Sequence, residues 1–311
     1  MRTRGRILVV LLAILTLVPG ASRAANGLKI VATTPDYGAL ARAIGGDRIA
    51  LKTLAKPTED PHFVDARPSH IVTLNRADLL IESGADLEIG WLPPLIQGSR
   101  NKKVLSGETG RFLGSEGVRL LDVPAVLDRA RGDIHAKGNP HFLMDRENSA
   151  IVARRLTDRF CELDADSCPA YRENLIRFTQ RLEQKISAWT ERLAPYQGVQ
   201  IVTYHNTWEY FAGSFGLRSE TFLEPKPGIP PSPPHLARVI EKMKANGLRV
   251  ILVEPFQSSK TAQIVAGHTG ATVVEVCQFP GGLPGTDDDY IALIDAVVEA
   301  IAGTLDRATA R

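Results

Sequence analysis

The chain has 311 residues, with 37 basic and 35 acidic side chains and a formal charge of +2. Four arginines and no acid fall within residues 1–24, so the rest holds 33 basic against 35 acidic residues, a formal −2, and nothing suggests a nucleic-acid footprint. The 287 residues beyond that segment are enough for a large core and for two lobes.

Residues 1–24 read as an export signal. Arg2, Arg4 and Arg6 precede the 12-residue apolar run Ile7–Val18, and a small-residue exit follows around Ser22-Arg23-Ala24. A bilayer span needs about 20 apolar residues, so the run predicts cleavage after Ala24 or Ala25 and a soluble product. No cysteine stands at that exit to carry a lipid. Leu28–Ala32 then reads as a strand, Tyr37–Ile44 as a helix, Ile49–Leu54 as a strand and 56–68 as a loop. A helix from Pro68 with Ser69 as its cap, and the strand Leu79–Ile81, complete this run. Strand and helix alternation over 28 to about 160 predicts one α/β lobe.

Cys161 and Cys168 lie seven apart, a spacing that closes a small disulfide loop in an oxidising compartment and leaves Cys277 free. Between Ala170 and Ala194, Leu175, Phe178, Leu182, Ile186, Trp189 and Leu193 recur at intervals of three and four, which predicts a long amphipathic helix ending at Pro195. The second half restarts with a strand at Val199–Val202. Helix 206–213, a proline-rich turn 225–234, helix 235–246, strand 249–253, strand 272–276 and helix 290–303 follow, a second α/β unit.

Three histidines stand among prolines, acids or aromatics rather than inside apolar runs: Asp60-Pro61-His62, Asn139-Pro140-His141 and Tyr204-His205-Asn206. Converging, they would make a neutral-imidazole site for a borderline-soft metal such as zinc, which takes about four nitrogen, sulfur or oxygen ligands. Gaps of 79 and 64 residues exclude a local finger, so only a large fold could assemble the site. Glu59 or Asp60 is placed to orient the second ring nitrogen of His62, and Asp145 to brace the turn after His141. For His205 the alternative is a core histidine satisfied by Glu209. His135, between glycines and beside Lys137, reads as a loop tip that could alternatively ligate, and His70, His235 and His268 read as structural or solvent-facing. There is no HExxH pair, GxSxG or P-loop to support an enzyme.

The segments LKIVATT, TEDPHFVDARPSHI, GNPHFLMDREN, YHNTWEYFAGSFGL and EPKPGIPPSPPHL resemble the periplasmic metal-binding components of zinc and manganese ABC importers, a cluster that includes streptococcal metal-binding adhesins. The resemblance runs from Leu28 almost to the C-terminus. It implies an α/β fold of two lobes with central, mostly parallel sheets, joined by one long helix, with the metal site between the lobes. The corresponding boundaries are an export segment 1–24, an N-terminal lobe 28–168, a connecting helix 169–197 and a C-terminal lobe 198–311. It places His62, His141 and His205 at the family's three histidine positions.

The resemblance implies a protein that does no chemistry on its cargo. It would carry a metal ion through the periplasm as a monomer to a membrane permease driven by a cytoplasmic ATPase, and three neutral imidazoles favour Zn²⁺ over Mn²⁺, which more readily accepts carboxylates. Alternatives are a manganese carrier, a zinc-dependent hydrolase and a metal-dependent adhesin. Two departures stand out. Where the family supplies a carboxylate after the strand matching 272–276, this chain has Cys277-Gln278-Phe279-Pro280, leaving Asp287, Asp288, Asp289, Glu59, Cys277 or water as candidates for a fourth ligand. Where some zinc importers carry a loop crowded with histidines, region 116–138 has only His135, which points to a separate periplasmic metallochaperone.

Overall fold

The computed structural model describes residues 27–124, 135–226 and 228–309; the export segment 1–24 lies outside them. Among the described residues the strands are β1 (Leu28–Ala32), β2 (Ile49–Thr53), β3 (Leu79–Glu82), β4 (Arg111–Leu113), β5 (Gln200–Thr203), β6 (Arg218–Phe222), β7 (Val250–Val253) and β8 (Thr272–Glu275). They form two four-stranded sheets of the same order, β2-β1-β3-β4 and β6-β5-β7-β8, with every pairing parallel. The central strands β3 and β7, LLIE and VILV, are buried along their whole length, as parallel strands covered on both faces must be.

Helices α1 (Pro35–Gly45), α2 (Pro68–Asn75), α3 (Leu92–Ser99) and α4 (Asn148–Leu163) belong to the first sheet's part of the chain. Helices α6 (Glu209–Ser214), α7 (Pro233–Ala245), α8 (Ser259–Thr269) and α9 (Tyr290–Thr309) belong to the second. Between them runs α5 (Cys168–Leu193), 26 residues and about 39 Å long at 1.5 Å per residue. Its buried stripe is Tyr171, Phe178, Leu182, Trp189 and Leu193, close to the predicted one. Polar contacts staple α5 to α9: Lys185 Nζ and Trp189 Nε1 both reach Asp295 Oδ1, at 2.7 and 2.9 Å, and Arg192 reaches Glu299 and Asp306. One apolar cluster runs through both halves of the molecule, from Ile30, Tyr37 and Phe112 to Ile201, Trp208, Val250 and Ile294.

A disulfide joins Cys161 to Cys168 across the α4–α5 junction, and Cys277 is free and buried. Several local expectations need correction. Ser69 does not cap α2: Pro68 takes the first helical turn, Arg67 is the N-cap, and Ser69 offers its carbonyl to Thr73 Oγ1 instead. The helix after His205 begins at Glu209, not 206, with Trp208 as its N-cap and residues 206 and 207 in a turn. Strand β6 and helix α8 stand where no regular element is predicted. Among the described residues, no helix is long and apolar enough to cross a membrane.

Candidate metal centre

Parallel strands deliver the residues that follow them to one edge of the sheet. His62 lies in the loop between β2 and α2, and His141 in the stretch after β4. His205 is two residues beyond β5, Glu224 two beyond β6, Glu254 directly beyond β7 and Gln278 three beyond β8. The C-terminal edges of both sheets thus supply one locus.

There the rings of His62, His141 and His205 meet. Their centroids are 5.3 to 5.4 Å apart, all edge-on to one another, and one ligating atom from each falls within 4.8 Å of the others. Each Nδ1 already has a partner: Asp60 Oδ1 at 2.8 Å for His62, Gln278 Oε1 at 3.0 Å for His141 and Glu224 Oε2 at 2.8 Å for His205. Carboxylate oxygens and an amide oxygen only accept, so each Nδ1 carries its ring proton and each Nε2 presents a lone pair. Among the described residues His141 Nε2 has no hydrogen-bond partner although the residue is 5% exposed. A buried lone pair without a partner is costly, and a cation would satisfy it.

Burial and then the neighbouring rings hold His141 well below the ordinary histidine value, so it is neutral and ready to ligate. Burial pushes Asp60 up, but its bonds to His62 outweigh that and leave its carboxyl below the usual value. Glu254, 1% exposed, is pushed up to about 7 by burial, against hydrogen bonds from Thr207 Oγ1 and the Gln278 backbone. It braces the chain at Thr207 and Gln278 from beneath. A cavity of about 390 Å³, lined by Asp60, His62, His205, Glu224, Phe256 and Gln278 among others, connects the locus to the surface.

The acidic and thiol side chains considered as a fourth ligand are not at the cluster. Asp288 pairs with Arg42 and Asp289 with Arg181, while Asp287 is exposed. Glu59 accepts from its own loop at Lys56 N, leaving the orienting role to Asp60. Cys277 donates to the Pro57 carbonyl at 3.3 Å, and burial pushes its thiol up to about 12, so it is no thiolate. Glu209 bonds Asn206 and not His205. His135 is no loop tip: its Nε2 lies 3.1 Å from His62 Nε2. Sequence reasoning missed Glu224, whose one signal was an acid directly ahead of Pro225 and the proline-rich turn, and Gln278, which read only as a missing acid. Asp145 does brace its turn, accepting from Glu147 N at 2.7 Å. His235 bonds the Phe222 carbonyl, His70 lies in α2 and His268 is exposed on α8.

The family model for the zinc-uptake complex component A, periplasmic, matches residues 30–304. The chain belongs to this zinc-uptake family. As a member it is a metal-binding, substrate-binding protein of an ABC importer and not an enzyme. Among similar proteins, the manganese ABC transporter substrate-binding lipoprotein PsaA of Streptococcus anginosus is 24% identical over 283 residues, covering 88% of each chain. The metal ABC transporter substrate-binding lipoprotein FimA of Streptococcus parasanguinis is 24% identical over 270 residues, 85% of this chain and 84% of its own. Among solved structures, that of ZnuA superposes with a TM-score of 0.74 at 22% identity, covering 90% of this chain and 99% of its own. The Mn²⁺ complex of FpvC from Pseudomonas aeruginosa gives 0.76 at 19% identity, covering 91% and 99%. At these identities the structural likeness is one of fold.

Proposed function

We propose that this member of the zinc-uptake family binds one Zn²⁺ as cargo through His62, His141 and His205, and hands it to the permease of an ABC importer. The observation that carries the reading is the set of three converging ring nitrogens, each with its Nδ1 proton committed to Asp60, Gln278 or Glu224. That arrangement keeps every ring in the ligating tautomer and raises its basicity. Nitrogen ligands without a carboxylate among them suit zinc, whereas manganese favours oxygen. The charges of Asp60 and Glu224 stand behind the rings to offset a dication.

Location in the periplasm, action as a monomer and loading by a separate metallochaperone belong to the same proposal. It draws on the export pattern of residues 1–24, which is outside the described residues, and on the sparse histidine content of 116–138. Manganese is the second reading, favoured by relatives named for it. Metal analysis of protein purified without chelator, followed by zinc and manganese competition, separates the two. One equivalent of zinc that manganese fails to displace supports the first; displacement by equimolar manganese replaces it with the second.

A further inference from the structure

The fourth position of the centre has an occupant at hand, and the argument for it rests on the three-histidine reading above. His62 gives its Nδ1 proton to Asp60, so its Nε2 is a bare lone pair. Facing it at 3.1 Å is another ring nitrogen, His135 Nε2, with the ring centroids 5.1 Å apart and the planes 30° from parallel. A tetrahedral zinc ion with Zn–N bonds of about 2.0–2.1 Å holds its nitrogens about 3.3 Å from one another. The two imidazoles therefore stand at nearly the edge length of a coordination tetrahedron, while His135 lies outside the set of nitrogens mutually within 4.8 Å that His62, His141 and His205 form, so a shared ion requires its ring to swing in.

The segment bearing His135 is tied in place. Its ring has a backbone hydrogen bond with Asp86, and Lys137, two residues on, pairs with the Asp86 carboxylate at 3.4 Å. Of the other side chains considered, Asp288, Asp289, Glu59 and Cys277 are engaged with Arg42, Arg181, Lys56 N and the Pro57 carbonyl, and Asp287 is exposed. We propose that His135 Nε2 is the fourth ligand, which makes the centre a four-imidazole site and His135 a determinant of zinc over manganese.

A backbone carbonyl only accepts, so the His135 ring proton is committed to Asp86, and its Nε2 faces the His62 Nε2 lone pair with a second lone pair. Both nitrogens can donate to one cation with no proton moved, and a cation between them relieves the two facing lone pairs. Four nitrogen donors match zinc and leave no oxygen for manganese.

The test is a crystal structure of the protein loaded with zinc alone, for the native chain and for H135A and H135N, with the ion located by its anomalous signal. The expected result is His135 Nε2 at about 2.1 Å from zinc, replaced in both variants by an oxygen of solvent, together with a narrowed preference for zinc over manganese. Zinc held by His62, His141 and His205 plus solvent in the native chain overturns this inference and leaves the three-histidine reading intact. Zinc away from those three histidines overturns both.

Discussion

Removing the carboxylate behind His205 tests whether the outer partners set the affinity of the centre. Glu224 Oε2 stands 2.8 Å from His205 Nδ1, and both side chains are 13% exposed. With a Zn–N bond of about 2.1 Å on the far side of the ring, the carboxylate sits roughly 7 Å from the ion. At an effective dielectric of about 20, a unit charge and a dication at that distance attract by about 5 kcal/mol. The cost of keeping the carboxylate desolvated offsets part of this. Outer partners of this kind are worth about 10- to 100-fold in affinity, or about 1.4 to 2.7 kcal/mol. Glu224→Ala should therefore weaken zinc binding by that factor, measured by competition with a chromophoric chelator. Glu224→Gln keeps an acceptor for the ring proton and loses only the charge, so it should fall between. If both variants bind within about twofold of the native protein, a difference under 0.5 kcal/mol, the carboxylate does nothing for the ion and the argument fails.

Single alanine replacements of His62, His141 and His205 should each sharply reduce zinc binding in the same chelator assay while the far-ultraviolet circular dichroism of the metal-free protein stays unchanged. The same variants should abolish ATP-dependent zinc uptake in vesicles carrying the cognate permease and ATPase; undiminished uptake would remove these rings from the transport path. Glu254 rises from 4.5 to about 7 on burial, so its protonated form is favoured in the fold. Its contribution to stability is present below pH 4.5 and is lost as pH climbs towards 7. Glu254→Gln should flatten that part of the decline, read as the difference between variant and native melting temperatures across the window in metal-free protein. The Cys161–Cys168 bridge closes a separation of seven residues, worth about 2.5 kcal/mol from loop entropy. The double alanine variant should lose about that much in denaturant unfolding, with its zinc affinity unaltered.

Much of the architecture could be read from apolar pattern alone. The strands Leu28–Ala32 and Leu79–Glu82 and the helix Cys168–Leu193 carry periodicities that local sequence displays. Strand β6 escapes that reading because its buried positions are Ser219 and Thr221 while Arg218 and Glu220 face outward, so no hydrophobic alternation marks it. Helix α3 hides behind its two prolines and a glycine, in LPPLIQGS. The three histidines were legible from their polar, proline-set surroundings. Their Nδ1 partners were less so: Asp60 is two residues from His62, but Glu224 is 19 from His205 and Gln278 is 137 from His141. His135 misled for a related reason, since its glycine and lysine neighbours suit an exposed tip and its real contact lies 73 residues away. Contacts made by the edge of a sheet depend on strand order, which no short window contains.

The apolar cluster shared by both sheets bears on how the molecule comes apart. Leu40 and Ile44 on α1, Phe178 and Leu182 on α5 and Ile294 and Val298 on α9 sit in one continuous interior, with Ile30 from the first sheet and Val250 from the second. A half of the chain expressed by itself would open a broad oily wound where the other half had been. Heating should accordingly produce one calorimetric peak and not two, and cargo held at the mouth should raise that single peak, so that a metal ion touching a handful of loops protects helices on the far side of the molecule.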